Sequence, residues 1–216
     1  MSGLENLLEN NKKWAEGVKW SDPKFFERLS NLQAPKYMWL GCSDSRITPA
    51  ASTGLLPGEL FVHRNIANLV IHTDMNCLSV MQFAVEVLKI EHIIICGHYG
   101  CGGVEAALKN VRLGLIDNWL RHIQDVTRDY EAELGKIKSF VEKTDRLCEI
   151  NVIEQVMNAA QTTIIQDAWL KKQNVSVHGW IYHLKDGIHQ DLQVTIDSLE
   201  SLNELRARMV VLQKDC

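Results

Sequence analysis

The sequence predicts an α/β fold: a mostly parallel central sheet of four strands plus an antiparallel edge strand, flanked by helices, with N-terminal helical arms. Three observations predict it. Short apolar runs, one of them rich in β-branched residues, alternate with longer stretches of helical periodicity, as in strand–helix–strand units. The runs are short and continuously apolar, which suits strands buried on both faces. Asp186-Gly187 separates the last two runs and is a hairpin signal, so the final pairing is antiparallel.

Each element has its own justification. Leu4, Leu7, Leu8, Trp14, Ala15 and Val18 recur at helical spacing over residues 4–20. Ser21-Asp22-Pro23 then caps a second helix, with proline at its first position, running to about Leu32. Tyr37-Met38-Trp39-Leu40 is a strand ending at Gly41-Cys42, and Pro57-Gly58 turns into a second strand over Glu59 to His63. Asn76 to Lys89 places Leu78, Val80, Met81, Ala84, Val85 and Leu88 on a helical face. His92 to Cys96, bounded by Gly97, is the third strand. Helices follow from Val104 to Lys109, from Trp119 to Tyr130, and over a long stretch from Asn151 to Leu170. Val175 to Tyr182 and Ile188 to Val194 complete the sheet.

Composition narrows the function. The 216 residues fit one domain, 1–216, with residues 1–34 as the helical arm. With 46% hydrophobic and 23% charged residues the chain is built for a core and against general disorder. A net charge of −4 leaves no basic excess for a nucleic-acid footprint or a polybasic membrane patch. The N-terminus has neither a basic start nor an apolar h-region, so a cytoplasmic, reducing setting is the expectation. There the six cysteines are thiols or metal ligands rather than disulfides.

Two fragments carry chemistry, and both are expected just beyond the C-terminal end of a strand, where ligands collect in open α/β sheets. They are Cys42-Ser43-Asp44-Ser45-Arg46 and His98-Tyr99-Gly100-Cys101-Gly102-Gly103. Two thiols and an imidazole form a soft set suited to zinc. His-x-x-Cys lets one turn supply two ligands while Cys42 reaches in from the neighbouring strand. Three ligands leave a fourth position open, as in a catalytic site. Either fragment alone reads as small buried thiols and a loop-bonded histidine; the pair together does not. Cys77 and Cys96 sit in apolar segments and read as core, and Cys148 and Cys216 receive no role. Asp44 can accept a proton or hydrogen bond from water at the metal while Arg46 holds it by paired hydrogen bonds. Alternatively Asp44 itself takes the fourth position.

Cys-Ser-Asp-Ser-Arg followed by His-x-x-Cys-Gly-Gly resembles the β-class carbonic anhydrases. Gly58 to Asn65, Asp74 to Val80, Trp119 and His178-Gly179-Trp180 resemble the bacterial members, so the likeness covers roughly residues 4–196. The resemblance implies zinc on Cys42, His98 and Cys101, one per chain, with Asp44 and Arg46 as the catalytic dyad. It implies reversible hydration of carbon dioxide to bicarbonate and a proton by zinc-bound hydroxide. It also implies a homodimer or homotetramer, because such N-terminal arms wrap a partner subunit, and small-molecule substrates with no nucleic-acid or membrane partner. One subgroup binds bicarbonate at a non-catalytic pocket of a tryptophan, an arginine and a tyrosine, matched here by Trp39, Arg64 and Tyr182. In that subgroup an occupied pocket or low pH favours an inactive form with the aspartate on zinc. The chain departs from the pattern Ser-Arg-Val-Pro-Ala-Glu. Its Ser45-Arg46-Ile47-Thr48-Pro49-Ala50 displaces the proline by one and lacks the acidic partner for the pocket arginine. A carbonyl sulfide or carbon disulfide hydrolase on the same scaffold, and a non-catalytic zinc-binding module, are the alternatives.

Overall fold

A computed structural model describes residues 3–31 and 33–214. The strands are β1 (Tyr37–Cys42), β2 (Leu60–Asn65), β3 (His92–His98), β4 (Ser176–Tyr182) and β5 (His189–Ile196). They form one sheet in the order β2-β1-β3-β4-β5. The first four run parallel and β5 pairs antiparallel with β4, as the alternation and the Asp186-Gly187 turn predict.

The two faces of the sheet differ in how they are covered. Met38, Leu40, Ile93, Ile95, Val177 and Ile181 point into the main core, which the helices close. The opposite face holds a smaller cluster of Trp39, Ile94 and Cys96, bordered by Tyr37, Trp180 and Tyr182. Both sides of β1 and β3 are therefore shielded from water, and their sequences show no polar alternation.

The helices are α1 (Gly3–Ser21), α2 (Phe25–Asn31), α3 (Pro49–Thr53), α4 (Met75–Gln82), α5 (Gly102–Lys109), α6 (Ile116–Asp129), α7 (Glu131–Gly135), α8 (Phe140–Gln161), α9 (Thr163–Leu170) and α10 (Leu199–Lys214). Several differ from expectation. Pro23 lies in a turn, and α2 starts two residues later, its approach held by Asp22, which accepts from the Lys24 N–H and pairs with Arg28. Leu32 lies outside the described residues. The helix expected over 76–89 ends as α4 and continues as a π turn over Phe83–Val87, closed by the Leu88 N–H on the Phe83 carbonyl at 3.0 Å. Apolar spacing does not reveal where the hydrogen-bond ladder slips by one residue.

The helix expected over 151–170 is two helices. α8 starts at Phe140, where Ser139 accepts from the Glu142 N–H, and the chain breaks at Thr162. Thr162 has an extended ψ of 148° and its hydroxyl accepts from the Ile165 N–H, so it starts α9 rather than continuing α8. Gly97, expected to end β3, lies inside it. A Cβ there would stand 2.5 Å from Val152 Cγ2, so the glycine lets α8 lie directly on the strand. The apolar residues of α1 predict an amphipathic helix, yet none of its residues is buried; Leu4, Leu7, Leu8, Trp14 and Trp20 are exposed.

Candidate metal centre

β1 and β3 are parallel neighbours, so their C-terminal ends lie side by side. The two fragments begin at those ends rather than beyond them: Cys42 is the last residue of β1 and His98 the last of β3. Gly100, with φ +64°, reverses the chain and brings Cys101 back as the residue preceding α5. The donor atoms of Cys42, His98 and Cys101, all buried, lie within 4.8 Å of one another.

The donor chemistry fits a zinc-like metal. The two Sγ atoms are 3.9 Å apart, close to the roughly 3.8 Å that two thiolates at about 2.3 Å require on a tetrahedral ion. His98 Nδ1 faces the Tyr99 carbonyl at 3.0 Å. A carbonyl only accepts, so Nδ1 carries the proton and Nε2 keeps its lone pair. That Nε2 is buried and, among the described residues, has no hydrogen-bond partner, an arrangement that costs about 1–3 kcal/mol unless something binds there. Hydrogen bonding from Cys101, with help from His98 and the Ala67 N–H, outweighs burial and lowers the Cys42 thiol to about 4. The same bond and burial push Cys101 up. A cation held between the two thiols would favour the ionised form of both.

Asp44 borders this trio, its Oδ2 3.7 Å from His98 Nε2. Arg46 grips it by Nε on Oδ1 at 2.8 Å and Nη2 on Oδ2 at 2.5 Å, while the Arg46 N–H adds a third bond to Oδ1. These bonds from Arg46 hold the carboxyl well below the usual carboxylate range. Arg64 fixes the loop from beneath, donating to the carbonyls of Cys42 at 2.9 Å and Asp44 at 2.6 Å. A cavity of about 630 Å³ opens beside Arg46, lined also by Tyr99, Gly100, His183 and Lys185.

The structure brings Trp39 and Tyr182 to one cluster, with the His189 ring 5.3 Å from Trp39 and 4.6 Å from Tyr182. Arg64 sits opposite Gly41 on β2 and its hydrogen bonds go to the two carbonyls. Several participants were not visible in the sequence. Ala67 contributes a backbone N–H to Cys42 and Tyr99 a backbone carbonyl to His98, and neither role depends on a side chain. Asn151, which bonds the Ala67 carbonyl, was detectable as a polar residue within an apolar helical face. Cys77 and Cys96 are buried, as expected of core thiols. Cys148, given no role, is buried behind the centre and bonded by the backbone of Cys101. Cys216 lies outside the described residues.

Comparison with known proteins places the chain in a family. A family model described as carbonic anhydrase matches residues 37–189. A carbonic anhydrase of Emericella nidulans is 44% identical over 190 residues, covering 88% of this chain and 83% of the relative. One of Pseudomonas aeruginosa is 32% identical over 85% of each chain. Among solved structures, a β-carbonic anhydrase of Coccomyxa in complex with acetazolamide superposes with a TM-score of 0.90, at 35% identity over 98% of both chains. A tetrameric β-carbonic anhydrase of Sordaria macrospora reaches 0.86, at 34% identity over 91% of this chain and 100% of that one. The match spans β1 and β3 and extends over most of each relative's length, so the chain belongs to the β-class carbonic anhydrases, a family of enzymes.

Proposed function

We propose that Cys42, His98 and Cys101 hold one zinc per chain and that the chain catalyses the reversible hydration of carbon dioxide to bicarbonate and a proton. The observation that carries this reading is the buried, unpartnered His98 Nε2 facing two thiols. When bound, zinc supplies the Lewis acidity that makes water a nucleophile near neutral pH. Asp44 then acts at Oδ2, ionised and beside the trio, accepting a hydrogen bond or proton from that water. Arg46 keeps the carboxylate from turning onto the metal, and Arg64 keeps the backbone beneath it in place.

The same contacts support regulation through Asp44 as a fourth ligand. Arg64 bonds the Asp44 carbonyl, so bicarbonate drawn to Arg64 between Trp39 and Tyr182 competes with that carbonyl for the guanidinium. Asp44, freed from Arg46, would then be the residue able to take the fourth position of a bound metal. The exposed apolar residues of α1 support a homo-oligomer built through the arm of residues 1–34. The five described cysteines, all free, suit a reducing cytoplasmic setting. Among the described residues no helix is long and apolar enough to cross a membrane.

Metal analysis paired with stopped-flow hydration, run across pH with and without added bicarbonate, tests the proposal. Cys42→Ser and His98→Ala are expected to lose zinc and turnover together. Turnover that survives without metal overturns the assignment, and a profile indifferent to pH and bicarbonate removes the regulation.

A further inference from the structure

A second group of unlike donors lies away from the first. His63 is on β2, Asp74 is the N-cap of α4, and Cys77 is in the first turn of that helix. Their donor atoms lie within 4.8 Å of one another. Atoms bound to a tetrahedral zinc are about 3.3–3.8 Å apart, so small side-chain rotations close the set. His63 Nε2 is buried and, among the described residues, has no hydrogen-bond partner. The Cys77 side chain is fully buried. Asp74 uses Oδ1 to cap the Asn76 N–H at 3.0 Å, which leaves Oδ2 available. A cavity of about 320 Å³ adjoins the group, lined by His63, Arg64, Asn65, Asp74, Asn76 and Trp119. It offers an entry path and room for an exchangeable ligand.

We propose that His63, Asp74 and Cys77 form a second metal site, for zinc or a divalent cation of similar softness, with its fourth position open to this cavity. A neutral imidazole, a carboxylate and a thiolate sum to −2, the same charge offered by Cys42, His98 and Cys101, so a divalent ion neutralises either set. A cation here would give a partner to His63 Nε2, which is buried and has none among the described residues, beside the Asp74 oxygen that does not cap Asn76. Burial and the nearby Asp74 charge push the Cys77 thiol up to about 12; a bound cation offsets both and lets it ionise.

The test is a metal count on the full chain as purified, dialysed against increasing free zinc. The wild type is expected to rise from one to two zinc per chain. His63→Gln and Asp74→Asn are expected to stay at one with carbon dioxide hydration retained, and asparagine preserves the cap on α4. Cys42→Ser is also expected to reach one, and its cobalt-loaded form to show a thiolate charge-transfer band that Cys77→Ala abolishes. A wild type that never exceeds one overturns the second site, as do His63→Gln and Asp74→Asn proteins that still reach two, the result of scattered surface binding. If the first centre fails instead, the Cys42→Ser count, not the His63→Gln count, stays at the wild-type value.

Discussion

A carboxylate held at both oxygens by one guanidinium has little freedom to rotate, and at Asp44 this restraint has a chemical consequence. Asp44→Asn cannot ionise, cannot chelate Arg46 and cannot accept a proton. It is therefore expected to keep its metal while losing about 10²–10⁴-fold in hydration rate. Arg46→Ala lowers the rate too, by freeing the carboxylate. Stopped-flow rates beside metal analysis check both, and undiminished turnover removes the pair from the mechanism. At this scale the sequence was most legible where function depends on side chains close together in the chain, as in Cys42-Ser43-Asp44-Ser45-Arg46. It was silent where backbone does the work, because any residue type could supply the Ala67 N–H or the Tyr99 carbonyl.

At the scale of elements, α8 holds the irregular chain that follows β2. Ala67 and Asn68 have φ of 63° and 50°, a conformation that costs a non-glycine residue about 1–3 kcal/mol and persists only where the surroundings impose it. Three polar residues one helical turn apart impose it. Asn151 donates to the Ala67 carbonyl at 3.0 Å, Gln155 accepts from the Val70 N–H at 2.8 Å, and Asn158 donates to the Val70 carbonyl at 3.1 Å. Gln155→Leu leaves the Val70 N–H buried without a partner, so it is expected to lower the unfolding free energy by about 1–3 kcal/mol. Urea denaturation measures this, and an unchanged midpoint rejects the role given to α8. The apolar residues of 151–170 revealed that a helix was present. The backbone partners of its polar row and its break at Thr162 were not legible, because hydrophobic periodicity records what faces the core and not which backbone groups need partners.

Across the whole molecule, acid is expected to weaken the fold through histidines outside the metal centre. Burial lowers the pKa of His178, with the neighbouring His92 adding to the effect, and burial likewise lowers His189. Below the ordinary histidine value of about 6.5 the unfolded chain binds protons that the folded chain refuses, so stability present above that pH is lost as pH falls through the depressed folded values. The paired variant His178→Asn with His189→Asn is expected to show a shallower fall in urea stability between about pH 7.5 and 5.5 than the wild type. Identical slopes contradict the assignment. The strand set and its antiparallel edge were readable because β1 and β3 are covered on both faces and a short turn joins β4 to β5. The exposure of α1 was not, since amphipathic spacing says nothing of whether its partner surface lies within the same chain.

The placement of Cys42 and His98 on neighbouring parallel strands has a further consequence, for assembly. Cys42 and Cys101 are 59 positions apart in the chain, and they meet only when β3 seats beside β1 with Gly41 opposite Cys96. Before that event His98 and Cys101 are at most half of a chelate. A slip of one residue turns the side chains of β3 to the other face relative to β1, carrying the imidazole away from the Cys42 thiol. A metal held tightly by this trio would therefore favour one strand register over its competitors, tying metal affinity to how the sheet has zipped.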